Sequence, residues 1–261
     1  MKALSTAATG MLAQQLHVEV ISNNIANMNT TGYKRQRAEF QDLLYQNIER
    51  VGAASSDAGT VVPSGIQIGV GVKAGGVYRV TEQGSLTETG NQFDVAVNGR
   101  GYFRIIMPDG SDAYTRAGAF QLSDQGEIVT TAGFPVAPGI TVPQEAIDVT
   151  INDVGQVQVQ LAGQVDFQTV GQLDLSIFPN EAGLEAVGDN LFRESPASGA
   201  ATVGVPGDTG FVTIQQGFLE TSNVNPVAEI TSLITAQRAY EMNSKVITTA
   251  DEMMNVTSNL R

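Results

Sequence analysis

The strongest constraint on this chain is an apolar spacing of seven that occurs at both of its ends. At the start, Leu4, Met11, Val18 and Ile25 are each seven apart, and Ala8, Gln15 and Ser22 fall four after the first three of them. At the finish, Ile230, Leu233, Tyr240, Ile247 and Met254 follow at spacings of 3, 7, 7 and 7, with Gln237, Ser244 and Asp251 at the alternate positions. Such a repeat places one stripe along one side of a helix and requires a second helix against it. Half of each stripe is small or polar, so neither helix can bury enough surface alone. "NPVAEI" opens the second helix, with Asn225 as N-cap, Pro226 at the first helical position and Glu229 near the positive end of the dipole.

The residues between the helices read as β structure. "QVQVQLAGQVDF" (156–167) alternates Val157, Val159 and Leu161 against glutamines, and "QLDLSIF" (172–178) alternates as well. Strand-like runs at 93–97, 102–107, 114–122 and 127–130 are separated by Asn98-Gly99, Asp109-Gly110 and Asp124-Gln125-Gly126, which is turn chemistry. The expected fold is α+β: terminal heptad helices pairing in a coiled-coil-like layer, with a mainly antiparallel β domain inserted between them. The expected organisation is a helical assembly segment over 1–45, an extended arm and connector over 46–80, an acidic β domain over 81–205, a connector over 206–225 and a C-terminal assembly helix over 226–261. The arm is rich in Gly, Ala and Ser, but Ile66, Ile68, Val70 and Val72 alternate as an extended hairpin would. A short echo links "QGSLTET" (83–89) to "QGFLETS" (216–222).

Charge narrows the function. The net charge is −13, and residues 46–225 hold seven basic against twenty acidic side chains. A nucleic-acid partner needs a basic face, so none is expected. The absence of cysteine removes disulfides, thiolate nucleophiles and Cys-built zinc sites. No secretory signal is expected in the first residues, because Gln14, Gln15, His17 and Glu19 interrupt any apolar run, and no stretch approaches the ~18 apolar residues of a membrane span.

Catalytic chemistry is equally hard to assemble. The single histidine, His17, lies in a helix with no nearby partner set. "IGVGVKAGG" has a GxG without the Lys-Ser/Thr of a phosphate loop. "PDGSD" (108–112) lacks the spaced ligands of a calcium loop and reads as a hairpin turn. No metal or cofactor is expected. A peptidoglycan-active β module could offer Glu127, Asp109 and Asp112 as acids, but nothing pairs them. The basic cluster Lys34, Arg35 and Arg37 reads as a solvated face or as a pairing surface for an acidic neighbour, such as the middle of another copy. Two underfilled helices and an acidic β body are the parts of a subunit that polymerises.

Three stretches then carry a resemblance. "SNNIANMNTTGYKR" (22–35) resembles the N-terminal signature of the bacterial flagellar rod and hook (axial) proteins. "ETSNVNPVAEITSLITAQRAYEMNSKVITTADEMM" (220–254) resembles their C-terminal signature, and "DVAVNGRGYFRI…PDG…YTRAGAF" (94–120) is similar to their shared β core. The motif positions are Asn23, Asn24, Ala26, Asn27, Thr31, Gly32, Tyr33 and Lys34, then Ser222, Asn223, Val224, Arg238 and Tyr240.

The resemblance implies a structural rod subunit whose terminal helices form an inner tube and whose β domain forms the outer shell. The heptad stripes would be its assembly interface. The arm at about 46–68 points to the distal rod, with a long proximal-rod or hook subunit as the alternative. The implied partners are further copies of the chain, proximal rod proteins, the hook protein, the peptidoglycan and outer-membrane ring proteins, and the flagellar type III export apparatus. The implied location is the basal body, with the rod spanning the periplasm. In that setting the segment from Asn27 to Gly32 caps the first helix and turns the chain out of the inner layer.

Overall fold

The computed structural model describes residues 2–48, 65–163 and 166–259. The chain divides into two compact units. One comprises Met1–Ile25, Gln36–Tyr78 and Asn225–Arg261; the other comprises Ala26–Arg35 and Arg79–Val224.

The first unit holds both long helices, α1 (Lys2–Ala26) and α2 (Pro226–Asn259). Among the described residues, four strands accompany them: β1 (Gln36–Asp42), β2 (Tyr45–Asn47), β3 (Gln67–Gly69) and β4 (Val72–Arg79). Strand β1 pairs with β4, and β2 pairs antiparallel with β3 through Tyr45–Gly69, Gln46–Ile68 and Asn47–Gln67. The arm is therefore hairpin-like at its base, as the alternation at Ile66 and Ile68 indicates. The remainder of the expected arm, 49–64, lies outside the described residues.

The expected helical segment 1–45 is helical only as far as Ala26. Residues Gln36, Ala38 and Phe40 share one half-buried side of β1, a period of two that a helix cannot satisfy.

The second unit is the β body, with fifteen short strands among the described residues. Its main sheet has six strands in the order β15 (Glu185–Gly188), β16 (Leu191–Arg193), β8 (Asp112–Thr115), β7 (Tyr102–Ile106), β14 (Leu175–Ile177) and β17 (Thr202–Gly204). Strand β7 has both faces covered. Phe103 and Ile105 point into a large cluster with Val95, Phe120, Ile128, Val157 and Leu175. Tyr102 points to the other face, among Tyr114, Phe178, Leu184 and Phe192. A sheet buried on both sides needs apolar residues at consecutive positions, which "GYFRII" supplies.

Smaller pairings complete the body. Strands β11 (Ala146–Ile151), β12 (Gln156–Leu161) and β13 (Gln168–Gln172) form one antiparallel sheet. Strands β9 (Phe120–Leu122) and β10 (Ile128–Thr130) form a hairpin across Asp124-Gln125-Gly126. Strand β18 (Thr213–Gln216) pairs with β6 (Val95–Asn98), and β19 (Phe218–Glu220) pairs with β5 (Leu86–Glu88).

Two expectations are refined here. The run 114–122 is broken after Thr115, because the Thr115 hydroxyl accepts the Ala117 N–H at 3.1 Å and closes a local turn. The expected connector 206–225 carries β18 and β19 and belongs to the body up to Val224. The sequence echo also acquires a meaning: its two copies contain β5 and β19, which pair antiparallel as Leu86–Glu220, Thr87–Leu219 and Glu88–Phe218.

Candidate assembly interface

Helices α1 and α2 meet at Ala3 and Ala250, Gly10 and Asn243, and Asn24 and Glu229. Helix α1 buries Ala7, Ala13, Val20, Ile21 and Asn24, and α2 buries Glu229, Ala236 and Ala250. Asn24 Nδ2 donates to Glu229 Oε2 at 3.2 Å. A Cβ placed on Gly10 would lie 2.9 Å from Asn243 Nδ2, so a side chain of α2 comes up against α1 where α1 has none. Ala3 shares a groove with Ala250. Early residues of one helix meet late residues of the other, so the pair runs antiparallel.

The seven-residue stripes flank this seam. Leu4, Met11, Val18, Ile25, Leu233 and Ile247 are half-buried, whereas Ile230, Tyr240 and Met254 are exposed. An apolar surface is left open on α2. Met242, Val246 and Met253 are 64%, 47% and 61% exposed, and they line an apolar groove with Ala3 and Ala250. Patches of this kind mark sites that another molecule covers.

The helix ends are fixed by local hydrogen bonds. Asn225 Oδ1 accepts the N–H groups of Val227 and Ala228 at 3.1 and 3.2 Å, as an N-cap does. Asn24, fully buried, donates to the Gln36 carbonyl and accepts the Gln36 N–H, both at 2.8 Å, besides its bond to Glu229. One motif asparagine thus joins α1, the start of β1 and the first turn of α2. At the end of α1, Thr30 donates its N–H to the Asn27 carbonyl at 3.2 Å, and Gly32 takes a φ of +67°. A side chain on Gly32 would also strike the backbone of Arg116 and Ala117 at 2.8 Å.

Within the β body lies a charge cluster that the sequence reading missed. Lys34 is only 4% exposed, and its Nζ lies 2.6 Å from Glu220 Oε1. This corrects the expectation of a solvated basic face: the acid that Lys34 meets belongs to its own chain. Arg116 Nε donates to Glu220 Oε2 at 2.5 Å, and the Gly84 N–H donates to Glu220 Oε1 at 2.8 Å. Arg116 also donates to the carbonyls of Gly99 and Gly101. Burial pushes the Lys34 ammonium below its usual pKa, and the adjacent Glu220 carboxylate opposes that push. The missed signal was the pairing of a basic residue in one terminal motif with Glu220, the first residue of the other.

The remaining motif residues have separate settings. Asn23, Ala26 and Arg238 are on exposed helix positions, and Thr31 and Tyr33 are half-buried. The Ser222 hydroxyl accepts the N–H of buried Val224 at 3.3 Å, and Asn223 holds the Arg35 N–H at 2.7 Å.

Catalytic arrangements do not emerge among the described residues. His17 packs edge-on against Phe40, with ring centroids 6.0 Å apart. Asp109 accepts from the Ser111 hydroxyl and N–H, which hold its carboxyl below the usual range, the opposite of what a general acid needs. No group of three or more metal-ligating side chains is found among the described residues, and no helix is long and apolar enough to cross a membrane.

Comparison with known proteins adds three matches in the order of the three motifs. Residues 4–34 match the family described as "Flagella basal body rod protein". Residues 96–159 match "Flagellar hook protein FlgE/F/G D1 domain", and 215–260 match "Flagellar basal body rod FlgEFG protein C-terminal". The chain is 64% identical to the flagellar basal-body rod protein FlgG of Caulobacter vibrioides over the whole of both chains. It is 54% identical to FlgG of Agrobacterium fabrum, over 99% of this chain and 98% of that one. Against the rod protein FlgF of Caulobacter vibrioides identity is 33%, over 96% and 94% of the two chains.

Proposed function

This chain belongs to the flagellar basal-body rod protein family, and from that premise we propose that it builds the distal rod, packing with further copies of itself through the open faces of α1 and α2. It is a structural subunit of the rod in the flagellar basal body. The observation that carries the distal assignment is the full-length identity of 64% to a FlgG, against 33% to the FlgF of the same organism.

The proposed role is mechanical. Copies stack as a hollow drive shaft that crosses the periplasm and passes torque from motor to hook. The apolar groove lined by Met242, Val246 and Met253 supports burial against other copies. The stripe residues Ile230, Tyr240 and Met254, exposed in the single chain, suit the same contact. The net charge of −13 keeps free subunits apart until helix contacts form. Proximal rod proteins below, the hook protein above, the surrounding ring proteins and the type III export apparatus complete the proposed set of partners. We propose no enzymatic activity.

The test is deletion of the gene followed by electron microscopy of isolated basal bodies. A rod that stops short and carries no hook is expected. A complete ringed rod lacking only the hook would move the subunit out of the rod, and normal basal bodies would overturn the proposal.

A further inference from the structure

We propose that Glu220 makes a coincidence latch: the N-terminal connector, Ala26–Arg35, docks on the β body only when the C-terminal connector, Phe218–Val224, is seated there, so the two dock together.

The argument starts from where the hydrogen bonds of the N-terminal connector go. The Gly32 N–H donates to the Glu220 carbonyl at 2.8 Å. Lys34 Nζ donates to Glu220 Oε1 at 2.6 Å and to the Glu82 carbonyl at 2.8 Å. The Arg35 N–H donates to Asn223 Oδ1 at 2.7 Å, and the Val80 N–H donates to the Arg35 carbonyl at 2.8 Å. These bonds converge on two short segments, 80–82 and 220–223. Those segments are themselves tied together, because Asn223 Nδ2 lies 2.9 Å from the carbonyls of both Val80 and Glu82. A connector lying across both can find its partners only once they are joined.

Charge makes the dependence steep. Lys34 and Glu220 side chains are 3% and 1% exposed. If the C-terminal connector were absent, docking would bury an ammonium stripped of its carboxylate partner, with the Glu82 carbonyl left to receive it, which is strongly unfavourable. If the N-terminal connector were absent, Glu220 would keep Arg116 and the Gly84 N–H but lose the Lys34 ammonium from its carboxylate and the Gly32 N–H from its carbonyl, so the C-terminal connector would be held less firmly. Among the described residues, the hydrophobic clusters of the body draw on residues from Phe93 to Ile214 and include neither connector. The latch can therefore open without loss of the core.

Coupling between two docking events is reciprocal. Hydrogen exchange of the full-length monomer, read by mass spectrometry, tests this in Lys34→Ala and Glu220→Gln. Exchange should rise by at least ~10-fold over both 26–35 and 218–224 in either variant, as expected when a buried pair is broken. The core strand region 95–106 should stay as protected as in the parent chain. If Glu220→Gln fails to fold, Asn223→Ala removes the bonds to Arg35, Val80 and Glu82 without touching a charge, and the same two regions should open. The proposal is overturned if Lys34→Ala loosens 26–35 while 218–224 keeps its protection. It is equally overturned if Lys34→Ala or Asn223→Ala opens 95–106 as well.

Discussion

The β body and the terminal helices place their large side chains in opposite ways. In the body, Phe103, Phe120, Phe178, Ile105 and Leu175 are fully buried. In α2, the longest element, the buried residues are Glu229, Ala236 and Ala250, while Val227, Met242, Met253 and Val256 are exposed. The body completes its core within one chain. Helix α2 turns a small-residue face to α1 and keeps its bulky residues outside. The proposed assembly would draw on both kinds of region, because a finished core gives no adhesion and an open apolar face gives no independent stability.

That contrast can be broken most severely inside the body. Phe103 sits edge-on to Phe120 with ring centroids 5.1 Å apart. Phe103→Ala should lower the unfolding free energy by ~3–5 kcal/mol in urea titration, because the surrounding strands cannot collapse into the space. A loss below ~1 kcal/mol would mean that the body is less tightly packed than its burial indicates.

A smaller effect is expected at Asn24, where the helical unit depends on one polar node. Asn24→Ala should destabilise by ~1–3 kcal/mol, because Glu229 and the Gln36 backbone lose a buried partner. Faster amide exchange in the first turn of α2 and around Gln36, with unchanged exchange in 95–106, would sharpen the contrast. Uniform loss of protection would remove it.

Asn225→Ala deletes the N-cap of α2 and should cost ~1 kcal/mol, read as a drop in thermal stability with helical circular dichroism retained. The smallest effect on the monomer should come from Val246→Asp, within ~0.5 kcal/mol in a thermal melt, because that position is already in water. The same substitution should abolish rod formation, since a charge would be buried against a neighbouring subunit. Normal rods from Val246→Asp would show that this face of α2 stays in solvent after assembly.

The two regions also differed in how much of them could be read in advance. Both helices followed from the spacing of seven, and the cap at Asn225-Pro226 marked the start of α2 at the residue observed. Alternation in 156–161 identified β12, and Asp109-Gly110 marked the hairpin between β7 and β8. The position of the helix seam was not readable in the same way. Periodicity reports where bulky apolar residues lie, whereas contact between two helices depends also on where they are missing, as at Gly10 and Ala250.

What the sequence by itself determined is local: helix or strand period, caps and turns. Each depends on residues within a few positions of one another, so each is written contiguously in the chain. The partner of Lys34 was decided only by the tertiary structure. Lys34 reads as a surface charge until the fold brings Glu220, 186 positions away, to within 2.6 Å and removes both from water. The cost of burying a charge depends on what lies beside it in space, and only the folded chain specifies that neighbour.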